Sequence, residues 1–160
     1  MKPIHTLLTL IALAFSPAIH AAEKHDHDHK DHQHEKKEAG PNGGRILLSV
    51  EPHFEFLITA DRKIRLTPLG NDNKPVALKE QSATATGGDR SNPTKFTFTK
   101  DGETLLSDKP LPAGNDNPPL ILQIKTSPDA KPVTERFNVN LADCGDCKHK
   151  EYACICGHEH

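Results

Sequence analysis

The sequence predicts an all-β chain, an antiparallel β-sandwich (immunoglobulin-like or similar) of seven to nine strands over residues 40–141. Three observations predict it. Apolar residues recur at every second position in one short run after another, which is the side-chain period of a half-buried strand. The runs are separated by Asn71-Asp72-Asn73, Gly87-Gly88-Asp89, Asn115-Asp116-Asn117 and Ser127-Pro128-Asp129, all of them turn chemistry. No stretch of this region carries a helical period, so the helices that a parallel sheet needs for its crossovers are not predicted. A small barrel is the architectural alternative.

The runs follow in order. Residues 45–50 form the first. Residues 53–59 put Phe54, Phe56 and Ile58 on one face. Residues 63–69 put Ile64 and Leu66 on one face and Lys63, Arg65 and Thr67 on the other. Residues 75–78 make a short piece that runs on toward 81–86. Residues 94–100 turn Phe96 and Phe98 inward, and Asp101-Gly102 is a hairpin signal leading into 103–107. Residues 120–125 alternate Leu120, Leu122 and Ile124, and residues 133–141 place Val133, Phe137, Val139 and Leu141 together.

The two ends of the chain differ from this body. Residues 1–22 read as a cleaved secretory signal: Lys2 is the positive start, residues 7–15 are apolar but too short to span a membrane, Ser16-Pro17 breaks the helix, and Ala21-Ala22 offers a cleavage site. The mature chain is therefore expected in the periplasm or secreted, with no membrane span. Residues 23–39 hold five His, six acidic residues and four Lys, with Ala39 as the only apolar residue. Such a segment has nothing to bury and is expected to be a disordered arm. Its His25, His27, His29, His32 and His34 can gather around a borderline cation, because neutral imidazole is the commonest metal-ligating side chain. Asp26, Asp28 and Asp31 add carboxylates. Several loosely equivalent sites suit capture or buffering better than catalysis, which needs fixed ligands and a defined open position. A solvated spacer is the rival reading of the same composition.

Gly43-Gly44, His53-Phe54-Glu55-Phe56, Lys63-Ile64-Arg65-Leu66 and Asn73-Lys74-Pro75-Val76 together resemble small exported bacterial β-modules associated with heavy-metal efflux and periplasmic metal handling. The resemblance covers residues 40–80. It implies a metal-homeostasis context and transfers no ligand within the domain.

All four Cys of the chain lie in the tail of residues 142–160: Cys144, Cys147, Cys154 and Cys156, interleaved with His149, His158 and His160. Four thiolates with imidazoles at this spacing suit a tetrahedral zinc site or a soft copper-thiolate site. An exported chain equally allows disulfides, nested as Cys144–Cys156 with Cys147–Cys154, while Cys154–Cys156 closes too tight a ring. If disulfides form, the three tail His remain usable ligands.

Several functions are excluded. Net charge is −2 over 160 residues, which argues against a nucleic-acid binder with a basic surface. No phosphate-binding Gly-Lys-Ser/Thr loop, nucleophile elbow or His-Glu-x-x-His helix occurs. His53 is the lone His of the body and is expected to be surface or structural. The carboxylates Asp61, Asp72, Glu80 and Glu103 carry no acid–base argument. The sequence thus predicts a non-enzymatic, exported protein that binds divalent transition metal, zinc first and copper or nickel next. Its partners would be the metal and a metal transporter or efflux component to receive it. The alternative is a structural or adhesion-type β-sandwich with a disulfide-stapled tail and no physiological metal.

Overall fold

The computed structural model describes residues 38–156. The signal segment, the arm residues His25, His27, His29, His32 and His34, and the terminal His158 and His160 lie outside the described residues.

Eight strands follow one another: β1 (Arg45–Leu47), β2 (His53–Ile58), β3 (Ile64–Leu69), β4 (Ser82–Gly88), β5 (Pro93–Asp101), β6 (Thr104–Ser107), β7 (Pro119–Lys125) and β8 (Val133–Asn138). A single 3-10 turn, Glu151–Ala153, closes the described chain, and no α-helix occurs among the described residues. Every ladder is antiparallel, and the spatial order is β1-β2-β3-β6-β5-β4-β7-β8. The all-β antiparallel class and the strand number are those the period-two runs predict. The hydrogen bonding, however, runs unbroken through one curled sheet rather than two separate ones. β5 makes this so: its first half pairs with β4, from Pro93↔Gly88 to Thr97↔Thr84, and its second half pairs with β6, from Phe98↔Ser107 to Asp101↔Thr104. One strand therefore serves both arms of the sheet, as strands do at the corners of curled sheets. The turn that follows it uses Gly102 at φ +60°, which a side chain rarely tolerates.

Register explains the core. Phe54↔Pro68, Phe56↔Leu66 and Ile58↔Ile64 stack inward from β2 and β3. On the other arm, Ala83 and Ala85 of β4 stand beside Ile124 and Leu122 of β7, so small residues leave room for large ones. Phe54, Phe56, Ile64, Leu66 and Leu122 are fully buried. Each such side chain contributes about 1.5–3 kcal/mol relative to exposure. The curl brings β8 back over β2. The Phe137 ring meets Phe56 edge-on at 5.0 Å, and the Arg45 guanidinium sits 4.7 Å above the Phe137 ring. Ser49 adds a hydrogen bond to Glu135 beside them.

One expected strand is absent. Residues 75–78 contribute only an isolated bridge, Leu69↔Pro75, and a Val76 N–H to the Pro68 carbonyl at 2.9 Å. Pro75 has no N–H to extend a ladder, and the chain leaves the sheet until Ser82.

Candidate metal centre

The tail is folded onto the body rather than hung from it. After β8, the Val139 and Leu141 amides bond back to Pro118 and Asp116 carbonyls at 2.9 and 2.7 Å. The Glu151 amide then bonds to Ala142 O (2.9 Å) and the Tyr152 amide to Asn140 O (3.1 Å), so residues 143–150 form a closed loop. Inside it the Cys144 amide bonds to His149 O at 3.0 Å. Tyr152 anchors the arrangement. Its side chain joins the hydrophobic core and meets Phe56 edge-on at 5.6 Å, and its hydroxyl accepts the Ile58 N–H at 3.0 Å. Burial raises the Tyr152 phenol above its ordinary pKa, so it stays protonated. The 3-10 turn around Tyr152 reverses the chain and delivers Cys154 and Cys156 beneath Cys144 and Cys147.

The four sulfurs converge. All four Sγ atoms lie within 4.8 Å of one another. Cys144–Cys154 is 3.3 Å, and Cys144–Cys156 and Cys147–Cys154 are each 3.9 Å. No disulfide joins any of them. Sulfurs bound at about 2.3 Å to a tetrahedral zinc stand about 3.8 Å apart along each edge, so the group can hold a metal ion of that kind without moving far. Cys144 and Cys154 are buried; Cys147 and Cys156 are half-buried at the rim.

Backbone amides point at the sulfurs. The His149 and Ile155 amides bond to the Cys147 sulfur, and with help from neighbouring thiols they lower its pKa to about 7. The Cys156 amide bonds to Cys154 Sγ at 3.3 Å. Desolvation nevertheless holds the Cys154 and Cys156 thiols above the usual range. The site thus offers one thiol that ionises near neutral pH and two whose burial disfavours ionisation until something positive compensates it.

His149 is a predicted ligand that the structure does not place among the converging sulfurs. Its backbone organises the loop through both its carbonyl and its amide. Its ring instead faces the turn at residues 40–44: a Cβ on Gly43 would lie 3.4 Å from His149 Nδ1. His53 is half-buried with Nε2 3.3 Å from the Glu51 carboxylate. Among the other carboxylates, Asp72 pairs with Lys74 at 2.9 Å and Glu103 accepts the Leu78 N–H, both structural uses.

Sequence reasoning missed Glu55, whose side chain is fully buried on the face of β2 opposite Phe54 and Phe56. Its carboxylate accepts Asn42 N–H (2.8 Å), Asn42 Nδ2–H (2.7 Å) and Gly44 N–H (2.9 Å). It thereby fixes the turn on which the His149 ring rests. The pairing of Asn42-Gly43-Gly44 with a Glu inside an apolar strand was the available signal.

No protein-family model, curated protein or solved structure matches the chain.

Proposed function

We propose that this is an exported, non-enzymatic protein that binds divalent transition metal, zinc first and copper or nickel next. In this reading the four Cys make the tight site, and His25, His27, His29, His32 and His34 capture metal at lower affinity. The hand-over partner is a metal transporter or efflux component. The single observation that carries the reading is the convergence of four thiols within 4.8 Å of one another, three of the separations being 3.3–3.9 Å, close to the spacing that a tetrahedral zinc imposes. Structural zinc in such sites is worth about 10–16 kcal/mol in apparent binding free energy near neutral pH, well above what loose imidazole sites supply. His149, His158 and His160 are assigned at most a supporting part.

The test is metal stoichiometry by elemental analysis, paired with thiol counting. Full-length chain, a variant lacking residues 23–37 and a variant with all four Cys changed to Ser are each equilibrated with zinc and desalted. One tightly held zinc is expected in the first two and none in the third. Four reactive thiols in stripped protein should fall silent on zinc addition. No stoichiometric uptake, with no reactive thiols, would favour the stapled structural protein.

A further inference from the structure

We propose that the four-sulfur group releases its metal on oxidation by a peroxide, by closing two disulfides, Cys147–Cys154 and Cys144–Cys156. The inference rests on the reading of this group as a metal site and names how that site is regulated.

Exposure divides the four sulfurs, all within 4.8 Å of one another, into rim and interior. Cys147 and Cys156 are half-buried and meet solvent, whereas Cys144 and Cys154 are only 6% and 8% exposed. Each rim sulfur has a buried sulfur at 3.9 Å: Cys154 beside Cys147, and Cys144 beside Cys156. The buried pair Cys144–Cys154 is nearer, at 3.3 Å, but neither member is open to an oxidant. Oxidation therefore begins at the rim and is resolved from inside. The two local pairings, Cys144–Cys147 and Cys154–Cys156, would instead close short rings within one strand of the loop, the second of them strained. Closing a 3.9 Å gap to a bond of about 2.05 Å takes under 2 Å of travel, shared between two side chains.

The chemistry balances. A rim thiolate attacks one peroxide oxygen; the O–O bond breaks, hydroxide leaves and takes a proton to become water, and a sulfenic acid forms. The buried thiolate then attacks that sulfur; the S–O bond breaks and the hydroxyl leaves, after protonation, as a second water. Each disulfide consumes one hydrogen peroxide and two electrons from two thiolates. Two turns remove all four anionic ligands, and a divalent cation has nothing left to hold it. A thiol reductant reverses the change.

The experiment uses full-length chain loaded with zinc, treated with increasing hydrogen peroxide in the presence of a chromogenic zinc chelator. Oxidised protein is digested without reduction, and the linked peptides are fragmented in a mass spectrometer to read the pairing. One zinc released per two peroxides, Cys147–Cys154 and Cys144–Cys156 linkages, and recovery with reductant are expected. Zinc that stays bound at ten-fold excess peroxide, or a dominant Cys144–Cys154, Cys144–Cys147 or Cys154–Cys156 linkage, overturns the proposal while leaving the metal site standing. A chain that takes up no zinc before peroxide is added sinks the metal reading and this inference with it.

Discussion

Tyr152 links the four-sulfur group to the body, and its removal should report on both. Its ring is 6% exposed, lies edge-on to Phe56 at 5.6 Å and takes the Ile58 N–H at 3.0 Å. Tyr152→Ala deletes the ring and leaves that amide without its acceptor. Truncating a buried aromatic costs about 3–5 kcal/mol. At about 3 °C per kcal/mol for a chain of this size, melting should fall by about 9–15 °C in zinc-loaded protein. Tyr152→Phe keeps the ring and loses only the hydroxyl, so its cost should be about 1 kcal/mol. The decisive comparison is with metal-stripped protein. On the proposed reading zinc would hold residues 144–156 together, and Tyr152 lies between the two Cys pairs, so stripping the metal would loosen the frame that presses the ring into the core. The Ala substitution should then cost at least 1 kcal/mol less in stripped than in loaded protein. Thermal and urea unfolding followed by circular dichroism measure both. A cost below 1 kcal/mol in loaded protein would refute the placement of the ring. Equal costs with and without zinc would refute the coupling.

Glu55→Leu should destabilise by about 2–4 kcal/mol, because Gly44 N–H and the two Asn42 donors lose their acceptor. Glu55→Gln should cost only about 1–2 kcal/mol, since Asn42 can turn its amide to suit; chemical denaturation separates the two, and equal costs would argue against the three-donor arrangement. Gly44→Ala should cost about 2 kcal/mol or more, because its Cβ would lie 2.4 Å from the Phe56 carbonyl, whereas Gly145→Ala, with nothing within 4 Å, should stay within about 0.5 kcal/mol. In stripped protein Cys147 should be alkylated first by iodoacetamide. Its pKa of about 7 is lowered, so the thiolate is already half formed at neutral pH and is lost as pH falls below that; the rate should show a midpoint near pH 7, and a midpoint above 8.5 would contradict the amide–sulfur bonds. Zinc carried by the His-rich segment should leave as imidazoles protonate below about pH 6.5, before zinc held by the four Cys; a competition titration that shows one common release step would count against two classes of site.

Much of the fold is legible in the sequence because strand formation is a local matter of alternation and punctuation. Phe54, Phe56 and Ile58 face inward as the period-two pattern requires, and Asp101-Gly102 makes the predicted hairpin. The pattern fails where local alternation does not decide the outcome. Residues 75–78 look like a strand, but Pro75 cannot donate, and the pairing with β3 stops at the Leu69↔Pro75 bridge and the Val76 N–H to the Pro68 carbonyl. The continuity of the sheet also lies beyond alternation. It depends on β5 being long enough, nine residues, to bond β4 along one half and β6 along the other.

The site divides along the same line. Which residues carry the chemistry is written in the spacing of Cys144, Cys147, Cys154 and Cys156. Whether those sulfurs bond to one another or stand apart depends on how the intervening residues fold. Between the two pairs lie His149 and Tyr152, and each is used differently from what its side chain suggests. His149, read as a ligand, works through its amide on Cys147 and its carbonyl on Cys144. Tyr152, the only Tyr in the chain, is spent in the core, and its burial sets where the second Cys pair returns. Glu55 illustrates the converse. Period two correctly assigns it to the face away from Phe54 and Phe56, but that face is covered by residues 40–44, and only a tertiary contact turns an outward carboxylate into a buried one. Donor identity is thus a property of sequence, whereas donor geometry belongs to the packing of the tail on the body, to which the buried Tyr152 ring anchors it.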